Sequence, residues 1–203
     1  MKKGLKAGAA VLAAAVIFTS CQQVFTSSVY FWVETDMSTM SDEQKVSYAE
    51  DLLSSGTADQ LGEAYAEIAA LLGDDPGAKP ELALLAADLA VGASGLGEAM
   101  SSALETVSSG GDVSADLLED INTVDLQNAV DMVTAAEDGG ATLTAEQYTN
   151  AAAAQMLVVI DEAGGVESLD SIDPEDPDLV QAQEWAEAGG IDIESLLSGE
   201  AAI

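Results

Sequence analysis

The chain has 203 residues, 48% of them hydrophobic, with 37 acidic side chains against five basic ones, no histidine and a formal net charge of −32. All five bases are lysines, too few to recognise phosphate, so nucleic-acid binding is excluded. Disorder requires low hydrophobicity as well as high charge, and this chain has only the charge, so a folded body is expected.

At the N-terminus, Lys2, Lys3 and Lys6 precede the uncharged run Ala7–Phe18, then Thr19, Ser20 and the single cysteine, Cys21. As a helix the run would reach about 18 Å, short of a ~30 Å hydrocarbon core, and a basic start with a short apolar stretch marks a secretory signal. With no second cysteine, Cys21 has no disulfide partner within the chain. Thr19-Ser20-Cys21 after that run resembles a bacterial lipobox, although Phe18 stands where the motif prefers leucine. The resemblance implies cleavage before Cys21, lipidation of Cys21 and an exported protein anchored in the cell envelope. The expected location is the outer membrane, facing the periplasm or the cell surface. Residues 1–20 would be the signal peptide, 21–40 a lipid-anchor and aromatic linker segment, and 41–203 an acidic all-α domain.

Losing residues 1–20 removes three lysines and no acid, which takes the formal charge from −32 to −35 and leaves only Lys45 and Lys79. A polybasic grip on anionic lipid is thereby excluded, so the membrane would be held through Cys21 alone. Such a composition resembles proteins of saline habitats. At molar salt a Debye length of about 3 Å screens the self-repulsion, so stability should rise toward molar salt. The alternative is an ordinary surface kept soluble by charge.

Phe25, Tyr30, Phe31 and Trp32 cluster just after the lipid site. They either pack under the folded body or rest at a membrane interface, where such rings are at home. A polar linker follows to Met40. From Ser41 the chain reads as successive helices. Ser41 with Gln44 and Thr57 with Gln60 form capping boxes, opening helices that stop at Gly56 and Gly73. Val46, Ala49, Leu52 and Leu53 share a face in the first helix, as do Leu61, Ala64, Tyr65, Ile68 and Leu72 in the second. A third helix over 81–93 should bury Leu82, Leu85 and Leu89. A fourth covers about 96–107, and Ser114 caps a short fifth. Asp125 caps a sixth, whose end at Glu137 and Asp138 reads as solvent-facing. Thr144 with Gln147 opens the helix 145–163, apolar from Ala151 to Ile160 except at Gln155, which predicts a central element. Asp176 before Pro177 caps a helix carrying Trp185, and Asp192 a last short one.

Leu61-Gly62-Glu63-Ala64-Tyr65 recurs as Leu96-Gly97-Glu98-Ala99-Met100, and Ala49-Glu50-Asp51-Leu52 echoes in Ala86-Ala87-Asp88-Leu89. A period in the mid-thirties built from helix pairs is that of helical solenoids. The Leu-Gly-x-x-Tyr pattern resembles the first helix of tetratricopeptide repeats, over two copies within about residues 57–122. The expected class is all-α, either a short tetratricopeptide-like solenoid or an irregular helical bundle.

Without histidine, arginine or a second thiol, Ser–His–Asp and Cys–His arrangements cannot be assembled, and no enzyme is expected. Lys45 and Lys79 read as solvated. Asp170, Asp173, Glu175, Asp176 and Asp178 lack EF-hand spacing and read as a solvated loop with one capping aspartate, so neither a metal site nor a cofactor is expected. Gln155 reads as a core amide or as the mark of a ligand cavity. The functional expectation is a scaffold binding an envelope protein or peptide, with Tyr65, Met100 and Trp185 as possible partner-facing residues. The alternatives are a solute- or cation-binding lipoprotein, distinguished by one closed pocket near Gln155 rather than an open groove, and a structural acidic envelope protein.

Overall fold

The computed structural model describes residues 36–99, 101–102, 120–165, 168 and 172–191, and the regular secondary structure among them is entirely helical. Helix α1 spans Asp42–Leu53, α2 Ala58–Leu72, α3 Pro80–Ala93, α4 Thr123–Asp138, α5 Ala145–Glu162 and α6 Pro177–Ala188. Short 3-10 turns cover Met37–Thr39 and Pro76–Ala78. Cys21, the aromatic stretch 24–33 and Met100 lie outside the described residues. So do most of the expected fourth and fifth helices and the one expected after Asp192.

The helix starts follow from local chemistry. All three capping boxes form: Ser41, Thr57 and Thr144 accept from the backbone N–H three residues on, while Gln44, Gln60 and Gln147 accept from the cap N–H. Each box satisfies two backbone donors that a helix start leaves open. Asp176 caps α6 by accepting from Asp178 N and Leu179 N, with Pro177 in the first turn. The start of α4 differs from expectation. Its cap is Asn122, which accepts from Val124 N and Asp125 N, while Asp125 accepts from Asn122 Nδ2 at 2.7 Å.

Packing follows chain order: α1 on α2, α2 on α3, α3 on α4, α4 on α5 and α5 on α6. Asn122 N–H donates to the Ser94 carbonyl at 2.9 Å, seating the start of α4 beside the end of α3. The two echoed sequence segments are buried alike. Leu61 and Leu96, Ala64 and Ala99, Ala49 and Ala86, and Leu52 and Leu89 are all at most 8% exposed. The chain is an all-α stack of helices.

The helix packed by most neighbours is α3, which touches α1, α2, α4 and α5. Its alanines 83, 86, 87 and 90 are buried together with Leu84 and Leu89, and small side chains let neighbours approach from several directions. A Cβ on Gly92 would come within 2.7 Å of Leu61 Cδ1, so α2 and α3 meet closely there and a larger residue would require Leu61 to shift. The expected stripe of Leu82, Leu85 and Leu89 is therefore too narrow, since Leu82 and Leu85 are half-buried and the alanine side is inside. In α1 the stripe is also narrower than expected: Ala49 and Leu52 are buried, Val46 is half-buried and Leu53 is exposed. Helix α5 buries Ala151, Ala152, Ala154, Gln155, Val158, Val159 and Ile160. It packs chiefly on α4 and α6 and only lightly on α3, with Leu157 half-buried, so it is not the central element expected. Met37 is also buried, and its turn packs on α2, so the packed body reaches back ahead of Ser41.

Candidate functional site

Helix α4 places Gln127, Val130, Asp131, Thr134, Ala135 and Asp138 along one side, at the spacing of a single helical face. Opposite them stand Asp178 and Gln181 from the first turns of α6, and Gln155 of α5 forms the floor. The result is a groove of about 420 Å³, open to solvent along its length rather than closed. Asp131, Asp138 and Asp178 are exposed at its rim, whereas Gln155 is 2% exposed.

The polar atoms of this groove are spent unevenly. Gln127 Nε2 donates to Asp131 Oδ1 at 2.8 Å, and Gln181 Nε2 donates to Thr134 Oγ1 at 3.4 Å, joining α6 to α4. Among the described residues, no donor reaches Gln155 Oε1. A buried carbonyl left without a donor costs about 1–3 kcal/mol, so this oxygen is a favourable place for a donor from outside the chain.

Beside the groove, the Glu137 carboxylate ties three helices together. Trp185 Nε1 of α6 donates to Glu137 Oε2 at 2.7 Å, and the Tyr148 hydroxyl of α5 donates to Glu137 Oε1 at 3.0 Å. Hydrogen bonds to a charged acceptor are the stronger kind, and these fix α4 against both neighbours one residue from Asp138. The hydrogen bond to Glu137, then desolvation and the negative charge of Glu137, raise the phenol's pKa. The helix end is thus split: Asp138 is exposed as expected, but Glu137 is half-buried and engaged.

A second titratable group lies inside the stack. Asp88 of α3 is half-buried, and desolvation first, then the charge of Glu146, push its carboxyl up to about 6, opposed by a hydrogen bond from Gln147. The two lysines have structural partners rather than solvent alone. Lys45 pairs with Glu67 at 2.5 Å, its side chain only 14% exposed, and Lys79 Nζ donates to the Leu71 carbonyl in the last turn of α2. Lysine there also complements the negative end of the helix. A second hollow of about 400 Å³ lies between α1 and Leu71, Lys79 and Leu82. There Lys79 faces Asp42, Glu43 and Glu50 within the chain itself, and no unpaired buried polar atom lines it.

Of the residues expected to face a partner, Tyr65 is half-buried against the core, its phenol pKa raised by desolvation and by Asp131 and Asp125. Trp185 is 4% exposed with its N–H committed to Glu137, which leaves it no face to offer a partner; it is a core residue of the α4–α6 contact. In the acidic loop, Asp173 accepts from Glu175 N and Asp176 caps α6, while Asp170 lies outside the described residues. No group of histidine, cysteine, aspartate or glutamate among the described residues is placed to hold a metal ion. Among them, too, no helix is long and apolar enough to cross a membrane. Gln155 was visible in sequence as the one polar residue of an apolar run. The rim acids and Glu137 were not, because nothing local pairs Glu137 with residues 11 and 48 positions away. No protein-family model matches the chain, and comparison with curated proteins and with solved structures returns no match.

Proposed function

We propose that the protein is a lipid-anchored component of the bacterial cell envelope that works by binding, presenting a helical scaffold to a protein or peptide. The observation that carries this reading is the open groove between α4 and α6, with its walls held by the Glu137 contacts to Tyr148 and Trp185. An extended segment can enter an open groove sideways, whereas a closed pocket would have favoured a small solute. The anchor rests on Lys2, Lys3, Lys6, the apolar run and Cys21.

Two measurements test the two halves of the proposal. Metabolic labelling with a palmitate analogue should mark the wild type but not Cys21→Ser, and label retained in the mutant removes the anchor. A photocrosslinking residue at Gln181, on the groove wall, should give a discrete adduct in envelope membranes. The same residue at the exposed Glu63 of α2 should not. Equal smears from both positions would remove the scaffold.

A further inference from the structure

We propose that the groove between α4 and α6 is a seat for one organic cation bearing several N–H donors, an alkylammonium or guanidinium group. Gln155 Oε1 would receive it at the floor, and Asp131, Asp138 and Asp178 at the rim.

Three observations converge on that chemistry. The first is the hydrogen-bond accounting. The amide nitrogens of Gln127 and Gln181 already donate inside the walls, to Asp131 and Thr134, while the buried oxygen of Gln155 accepts nothing from the described residues. The groove thus offers acceptors and asks for donors. The second is charge. Three carboxylates and no cation line the groove, and the lysines at 45 and 79 are engaged with Glu67 and the Leu71 carbonyl. No cationic side chain among the described residues faces these carboxylates. The third is spacing. The described carboxylates are not clustered closely enough to hold a metal ion, so a point charge could not engage them together. A cation with its donors spread over several atoms can span a floor oxygen and rim acids. The volume of about 420 Å³ falls in the range of small-ligand sites, about 300–1,000 Å³.

The same chemistry can come from a free di- or polyamine, or from a lysine or arginine side chain of a bound peptide. The peptide arm rests on the scaffold reading given above, and the free-amine arm does not.

The test is calorimetric titration of the detergent-solubilised full chain with four probes at fixed ionic strength. These are putrescine, a short arginine-containing peptide with blocked ends, tetramethylammonium and Mg²⁺. The expected result is one saturable site for putrescine, the peptide or both. Binding should be at least tenfold weaker for tetramethylammonium, which has the charge but no N–H. Gln155→Met should weaken binding of the N–H cations tenfold or more while leaving the weak response to tetramethylammonium within twofold. Asp178→Asn, at an exposed position, should weaken binding severalfold and covers the case in which the buried substitution disturbs folding. Saturation by putrescine assigns a free amine, and saturation by the peptide alone assigns a partner's side chain. Equal responses to all four probes, unchanged by either variant, would show only counterion attraction to an acidic surface and overturn the proposal. No saturable binding at all overturns it too, while a discrete crosslink at Gln181 would leave the scaffold standing.

Discussion

The two ends of the stack are built differently. Between α1, α2 and α3 the buried core is leucine, isoleucine and alanine (Ala49, Leu52, Leu61, Ala64, Ile68, Leu72, Ala83, Leu84 and Leu89), with the Lys45–Glu67 pair at its edge. Between α4, α5 and α6, apolar packing is interleaved with polar groups: Thr149 and Gln155 are buried, and Glu137 joins Tyr148 to Trp185. Apolar burial supplies stability in proportion to area but little direction. Hydrogen bonds to a carboxylate supply direction and fix the spacing of helices. The first region therefore serves chiefly to hold the fold, and the second to hold a shape, which is where the groove lies.

The sharpest contrast comes from truncating the apolar end. Leu89 in α3 is fully buried among helices that approach closely. Leu89→Ala should cost about 2–5 kcal/mol in lost burial and residual cavity, read from chemical denaturation. A loss below about 1 kcal/mol would mean that α3 is not the hub of the stack.

At the polar end, Glu137→Ala removes the acceptor of two donors at once. A loss of about 1.5–3 kcal/mol is expected, with a red shift of Trp185 fluorescence as its ring loosens. Asp138→Ala, one residue on and exposed, should stay within about 0.5 kcal/mol. Equal effects of the two changes would remove the clamp.

A smaller effect is expected where the two ends meet, at Asp88 of α3 beside Glu146 and Gln147 of α5. Its carboxyl is raised to about 6 from 3.8, so the folded state holds a proton in a range where the unfolded state has released it. The stabilising contribution is full below the unfolded value and is lost as pH rises through about 6. Asp88→Asn should therefore be more stable than the wild type at pH 7, and the gap should close as pH falls toward 4. A gap that stays constant across that window would place the Asp88 carboxyl in ordinary solvent.

These contrasts also show how much could be read from the sequence. Helix starts were legible because capping is local: Ser41, Thr57, Thr144 and Asp176 sit within three residues of the groups they satisfy. Asn122 was missed in favour of Asp125, since both side chains can cap and only the backbone geometry chooses between them. The burial of α5 was legible from an apolar run broken only at Gln155. The hub role of α3 was not, because alanine carries a weak hydrophobic signal yet permits the closest approach. Gln155 stood out as a polar residue in an apolar stretch, but the walls around it come from residues 127–138 and 178–181, which no local period connects. Trp185 looked available as a lone aromatic on a polar helix, and its engagement depends on a glutamate 48 residues earlier.

The difference between the two ends is tested most directly by the stability of Gln155→Met. Methionine matches the length of glutamine and carries no strong acceptor, so it removes the unpaired oxygen while keeping the volume. If Gln155 serves binding rather than folding, the variant should unfold at the same denaturant concentration as the wild type or a higher one, with a gain of up to about 1–3 kcal/mol from relief of the buried carbonyl. A loss of about 2 kcal/mol or more would show that Gln155 is a structural amide of the core, and that the groove it floors was not kept open for a ligand.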